Sequence, residues 1–214
     1  MTENERERVK EIIRLLKKEY PRARITLNYS TPLELLVATM LSAQCTDERV
    51  NKVTKNLFEK YSTAEEYARA TISELEEIIR PTGFYHVKAR NINNSCTMLV
   101  EKFNSKIPNT LDDLTLLPGV ARKTANIVLS NAFGIVEGIA VDTHVKRLSQ
   151  RLGLTSSKYP EKIEQDLIHI VPKEEWSSLS DLFISHGRSV CSARRPFCAK
   201  CILNHTCPSV HALA

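Results

Sequence analysis

Apolar residues recur along most of this chain at intervals of three and four rather than two. Val9, Ile12, Ile13 and Leu16 form one such stripe, Val50, Val53, Leu57 and Tyr61 a second, and Val87, Ile92, Cys96 and Leu99 a third, less regular one. A period near 3.6 residues puts each set on one face of a helix. Helix starts are marked too. Thr31-Pro32-Leu33-Glu34 joins a side-chain cap, a proline at the first helical position and a returning glutamate, and Ser73-Glu74-Leu75-Glu76 offers a similar box. Pro21, Pro32, Pro81, Pro118, Pro160 and Pro172 separate segments of helical length, and no convincing alternating strand appears. The pattern predicts an all-α fold. No linker is rich in glycine or serine, so any division into domains must come from packing.

The 214 residues suffice for one large domain or two modest ones. A net charge of +5 and a pI near 8.9 are mildly basic and suit a soluble protein that meets nucleic acid. The first twenty residues are heavily charged and no apolar run reaches bilayer length. Neither a signal peptide nor a membrane segment is therefore expected, and the site of action is predicted to be inside a cell. Cys45 and Cys96 stand alone in the sequence and read as buried thiols.

The other four cysteines, Cys191, Cys198, Cys201 and Cys207, are separated by gaps of six, two and five residues. Without a secretory leader, thiols at this density predict a shared metal rather than disulfides. Tetrahedral zinc and an iron–sulfur cluster both accept four thiolates. Only Cys198 and Cys201 make the tight pair usual for zinc, and the looser remainder suits a larger cubane better. From Leu182 onward there is no Asp or Glu, while Arg188, Arg194, Arg195 and Lys200 are present. Arg194 and Arg195 fall between the first two cysteines, where metal binding would hold them on a fixed loop suited to phosphate contacts.

A second informative stretch runs from Leu114 to Leu129. A short helix ends, Pro118-Gly119 turns the chain, and a new helix opens with unpaired amides at Gly119, Val120 and Ala121 that suit a phosphate. Lys123 falls in the first turn of that helix. The dipole disfavours a cation there by about 0.3–1 kcal/mol, a mismatch that points to use as an amine nucleophile. Nineteen residues on, Asp142 follows an apolar run and is placed to cap the next helix.

The Leu-Pro-Gly-Val-Ala-Arg-Lys-Thr-Ala hairpin, the Val-Asp-Thr-His segment and the cysteine tail, taken together, closely resemble the endonuclease III family of helix-hairpin-helix DNA glycosylases, over essentially the full length. Leu41-Ser42-Ala43-Gln44-Cys45-Thr46-Asp47 and Thr82-Gly83-Phe84-Tyr85-His86-Val87-Lys88-Ala89 look like that family's two DNA-inserting loops. Phe84 stands where the family pattern has leucine, and a bulkier ring can serve as the same wedge. The resemblance implies two lobes with a DNA groove between them. A six-helix barrel is expected over about residues 26–135, with the hairpin at about 114–129, and a cluster lobe over 1–25 and 136–214. It also implies a [4Fe–4S] cluster on Cys191, Cys198, Cys201 and Cys207, structural in role, with its loop at 191–207.

The activity implied is that of a bifunctional DNA glycosylase and AP lyase of base excision repair. Gln44 and Phe84 would fill the gap left by an extruded base, Lys123 would attack the sugar, and Asp142 would assist. The implied partner is double-stranded DNA with damaged pyrimidines or abasic sites, met by a monomer. The implied location is the nucleoid-associated cytoplasm of a prokaryote, or the nucleus or an organelle of a eukaryote. A mismatch-specific adenine glycosylase fits less well, because Lys123 is present and only seven residues follow Cys207. A mismatch thymine or uracil glycosylase remains open, as does a non-catalytic iron–sulfur DNA-binding protein, although the latter has no use for Lys123 and Asp142.

Overall fold

The structure, a computed structural model, describes residues 3–210, with side chains from Arg6 onward. Among the described residues every regular element is helical, as the periodicity predicts. The α-helices are α1 (Glu3–Glu19), α2 (Pro32–Leu41), α3 (Asp47–Lys60), α4 (Ala64–Arg69), α5 (Ile72–Ile79), α6 (Tyr85–Lys102), α7 (Leu111–Leu116), α8 (Arg122–Val128), α9 (Thr143–Arg151), α10 (Pro160–Ile170) and α11 (Trp176–Ser189). None of them is long and apolar enough to cross a membrane.

Local chemistry sets the helix ends. Thr31 caps α2 by accepting from the Glu34 amide at 3.1 Å, and Pro32 opens the helix. The Glu34 carboxylate does not return to Thr31 but takes the Ser30 amide. α5 starts two residues before the Ser73 box expected from sequence. Thr71 caps it and Glu74 reciprocates, because Thr71-x-x-Glu74 fits the same template and sets Leu75 and Ile79 on the buried side. A further departure concerns Val87, which is 52% exposed. The buried face of α6 instead runs through Lys88, Ala89, Ile92, Ser95, Cys96 and Leu99. Cys96 is buried as expected, and burial pushes its thiol up to about 12. Cys45 is only half-buried, because it follows α2 in an exposed loop rather than facing a core.

Two compact units divide the chain, Thr26–Glu137 on the one hand and Met1–Ile25 with Gly138–Ala214 on the other. The first holds α2 to α8. α6 packs against α2, α4 and α5, and α8 against α2 and α7. Leu35, Leu36, Leu41, Leu57, Tyr67, Leu75, Ile79, Ile92 and Leu99 supply its fully buried side chains. The second unit packs α11 against α1 and α9, and α10 against the same two helices. Its core contains the Val9, Ile12, Ile13 and Leu16 stripe together with Val145, Leu148, Ile163, Leu167, Leu179, Leu182 and Phe183. Burying such a side chain contributes about 1.5–3 kcal/mol, so these stripes are what hold each unit together.

Candidate functional site

In the first unit, α7 and α8 are joined by a turn at residues 117–120. Gly119 has φ +79°, and a Cβ there would lie 2.5 Å from Asn91 Nδ2 and 2.8 Å from Asn91 Cβ, so only glycine fits. Ser95 Oγ donates to the Pro118 carbonyl at 2.7 Å, which ties the turn to α6. The Val120 amide donates to the Leu117 carbonyl at 3.0 Å. The Val120 N–H is thus engaged inside the turn, and its side chain is buried. The exposed Gly119 and Ala121 remain as the hairpin positions suited to a phosphate. No side chain caps α8, whose second residue is Lys123, exposed at the start of the helix.

Gln44 and Phe84 occupy loops of the same unit, and both adopt the left-handed backbone, with φ of 53° and 50°. Such a conformation is unfavourable for a non-glycine residue and persists where surroundings enforce it. Both side chains are presented outward; Phe84 is 64% exposed, a large apolar surface with nothing to bury it. Sequence reasoning missed the residue behind them. Lys88 is only 6% exposed, and its ammonium donates to the Leu41 carbonyl at 2.8 Å and the Thr82 carbonyl at 2.9 Å. Burial lowers its pKa from the ordinary lysine value. The available signal was the helical spacing of Lys88 with Ile92, Ser95 and Leu99.

In the second unit, Asp142 is the N-cap of α9. Its Oδ1 accepts from the amides of His144 and Val145, both at 2.8 Å, which leaves Oδ2 for other chemistry. Asp142 and Lys123 thus belong to different units.

The four cysteines beyond α11 line a common pocket with Val190, Pro196, Phe197 and Arg151. All four are free thiols. Among the described residues no three His, Cys, Asp or Glu side chains group to hold a single metal ion. The four thiols line one pocket, and a set of four thiolates fits an iron–sulfur cluster as well as a single zinc ion. Burial raises the thiols of Cys201 and Cys207, and the neighbouring cysteines add to the shift. A positively charged centre would relieve that repulsion. Two nitrogens already lie against the sulfurs. Arg151 Nη1 lies 3.2 Å from Cys191 Sγ and His186 Nε2 3.3 Å from Cys201 Sγ. Burial pushes His186 down to about 4, so it is neutral near pH 7, and its Nδ1 is hydrogen-bonded to the Tyr20 hydroxyl at 3.0 Å.

The loop between Cys191 and Cys198 is held from α9, a support that the sequence did not reveal. Arg147 donates to the carbonyls of Cys191 and Gly187, and Arg151 to those of Ser192 and Ala193. Arg194 and Arg195 stand exposed on the loop so fixed. The Ser192 hydroxyl closes it by donating to the Arg195 carbonyl at 2.6 Å.

Comparison with known proteins agrees with this geometry. Residues 37–173 match the model of the "HhH-GPD superfamily base excision DNA repair protein" family. Endonuclease III of Synechocystis sp. is 53% identical over 209 residues, covering 98% of this chain and 95% of that protein. Two solved structures, a non-covalent endonuclease III–DNA complex and a trapped endonuclease III–DNA covalent intermediate, superpose with TM-scores of 0.92 and 0.93. Each is 46% identical and covers 97% of both chains. The chain belongs to the HhH-GPD superfamily of base excision DNA repair proteins and, within it, to the endonuclease III family.

Proposed function

We propose that the chain is a bifunctional DNA glycosylase and AP lyase that removes damaged pyrimidines from double-stranded DNA. The observation that carries this reading is the exposed Lys123 in the uncapped first turn of α8, behind a hairpin turn that only Gly119 permits. An amine so placed suits attack on a sugar held by phosphate contacts at the hairpin.

The steps follow from what the substrate requires. A damaged base inside a duplex is out of reach, so it must be extruded, at a cost of a few kcal/mol. Phe84 and Gln44, presented on left-handed loops, are suited to fill the gap that the base leaves. The Lys123 amine then forms a bond to C1′ as the bond from C1′ to the base breaks. The base leaves with the electron pair of that bond and takes up a proton. Loss of a proton from the lysine nitrogen and cleavage of the C1′–O4′ bond, with O4′ taking up a proton, then open the sugar and leave a protonated imine. The imine acidifies the C2′ proton, and its loss expels the 3′ phosphate oxygen and cuts the strand. Hydrolysis of the imine restores the lysine. Asp142 Oδ2, which the cap leaves unused, is the carboxylate oxygen suited to take the lysine proton and to offset positive charge on the sugar.

Cys191, Cys198, Cys201 and Cys207 would hold a [4Fe–4S] cluster, which supplies no step of this chemistry and fixes the loop carrying Arg194 and Arg195. Those arginines are suited to phosphates and position the protein on the duplex. The protein would act as a monomer and reside with cellular DNA, in the cytoplasm of a prokaryote or in the nucleus or an organelle of a eukaryote. The test is a panel of duplexes carrying single oxidised pyrimidines or mismatched thymine and uracil, with products resolved by electrophoresis. Nicks with the ends of β-elimination at oxidised pyrimidines support the reading, and base release without strand cleavage refutes it.

A further inference from the structure

A buried lysine is rare unless its charge is met, and an apolar side chain of similar volume would occupy the same space at less cost. Neither acceptor of Lys88 is a carboxylate. What the ammonium bridges is two chain segments. Leu41 is the last residue of α2 and stands three residues before Gln44; Thr82 stands two residues before Phe84. One nitrogen therefore joins the roots of both loops, each of which carries a left-handed residue that its surroundings must enforce. Farther along α6, Asn91 packs against Gly119 and Ser95 donates to Pro118, so the same helix also carries the hairpin turn. A Met or Leu at position 88 would fill the core but leave the two carbonyls without their donor.

We propose that Lys88 is a positioning residue that fixes the spacing of the Gln44 and Phe84 loops, so that both enter a duplex together when a nucleotide is extruded. This rests on the reading of the chain as a DNA glycosylase and lyase. Extrusion is needed only where the strand is paired and stacked, so an abasic site in a single strand bypasses the step. Lys88 then matters for duplex substrate far more than for single-stranded substrate. Loss of general stability would affect both alike.

The experiment compares single-turnover cleavage of one abasic-site oligonucleotide, in duplex and alone, by the wild-type protein and by Lys88→Met, Lys88→Gln, Phe84→Ala and the Lys88→Met/Phe84→Ala pair. The ratio of duplex to single-strand rate is expected to fall about tenfold or more in Lys88→Met, and less in Lys88→Gln, which keeps two N–H donors. Because Lys88 acts partly through the Phe84 loop, the pair should lose less than the product of the two single losses. Should Lys88→Met lose its helical circular dichroism, Lys88→Gln carries the same comparison. Equal losses on both substrates, or losses that multiply in the pair, overturn the assignment. A wild-type protein that cleaves neither substrate overturns the functional reading and the role of Lys88 with it, whereas wild-type cleavage with an unchanged ratio in the variants overturns Lys88 alone.

Discussion

Asp142 has two separable tasks, and substitution can divide them. As a cap it gives Oδ1 to two amides at 2.8 Å; as a base it would use Oδ2. Asparagine keeps an oxygen at the capping position and ranks with aspartate as an N-cap. Asp142→Asn therefore loses only the charge at the helix start, about 0.3–1 kcal/mol, and the melting temperature should fall by about 1–4 °C for a chain of this size. Asp142→Ala removes the cap as well, at about 1–2 kcal/mol more, for a fall of about 3–12 °C in all. Both variants lack the base, and both should slow release of an oxidised pyrimidine by about 100-fold or more. The assay is single-turnover base release from a lesion duplex, quenched with alkali so that every abasic site is counted, alongside thermal melts. Full activity in Asp142→Asn would refute the proton-transfer role and leave Asp142 as a cap alone. So would rate losses that track the melting temperatures across the two variants.

Three further outcomes are expected. The purified protein should be brown and contain iron and acid-labile sulfide at about four of each per chain; stoichiometric zinc in active, colourless protein would show the cysteine quartet misread. Asp181, in α11, is raised by burial from 3.8 to about 6, so the folded state holds its proton more tightly than the unfolded state does. Its stabilising effect is complete below about pH 3.8 and is lost as pH rises through about 6. Denaturant melts from pH 4 to 8 should therefore find Asp181→Asn gaining on the wild type through that window, to on the order of 1–2 kcal/mol once partial exposure is discounted, and a pH-independent gap would refute it. Replacing Arg194 and Arg195 with Ala should weaken damaged and undamaged duplex alike and flatten the log–log salt dependence by about 1–2, read by fluorescence anisotropy at several salt concentrations.

Much of the fold was legible because the signals were local. The Val9, Ile12, Ile13 and Leu16 stripe and the Thr31-Pro32 start are decided within one or two turns of chain, and the structure has both. The failures arose where tertiary context chose between equal local signals. Thr71-x-x-Glu74 and Ser73-x-x-Glu76 are both capping boxes, and the buried Leu75 and Ile79 accompany the first. Val87 is apolar yet exposed because α6 turns Lys88 inward instead. The Gly119 turn was legible from Pro118-Gly119, but the loss of the Val120 amide to Leu117 depends on turn geometry that composition does not carry. The cysteines were visible as a set, whereas Arg147, Arg151 and His186, which address them or their loop, lie up to 56 residues away in sequence and show no motif.

The most direct measurement concerns the lysine itself. Lys123 is exposed, so Lys123→Ala leaves core packing intact and the variant should fold and bind lesion duplex. Wild-type protein incubated with a lesion duplex and borohydride should give a covalent protein–DNA adduct. Proteolysis and mass spectrometry should place it on Lys123, and Lys123→Ala should form neither adduct nor nick. An adduct mapped to another amine, or undiminished trapping and strand cleavage by a contaminant-free Lys123→Ala preparation, would contradict the assignment of Lys123 as the nucleophile.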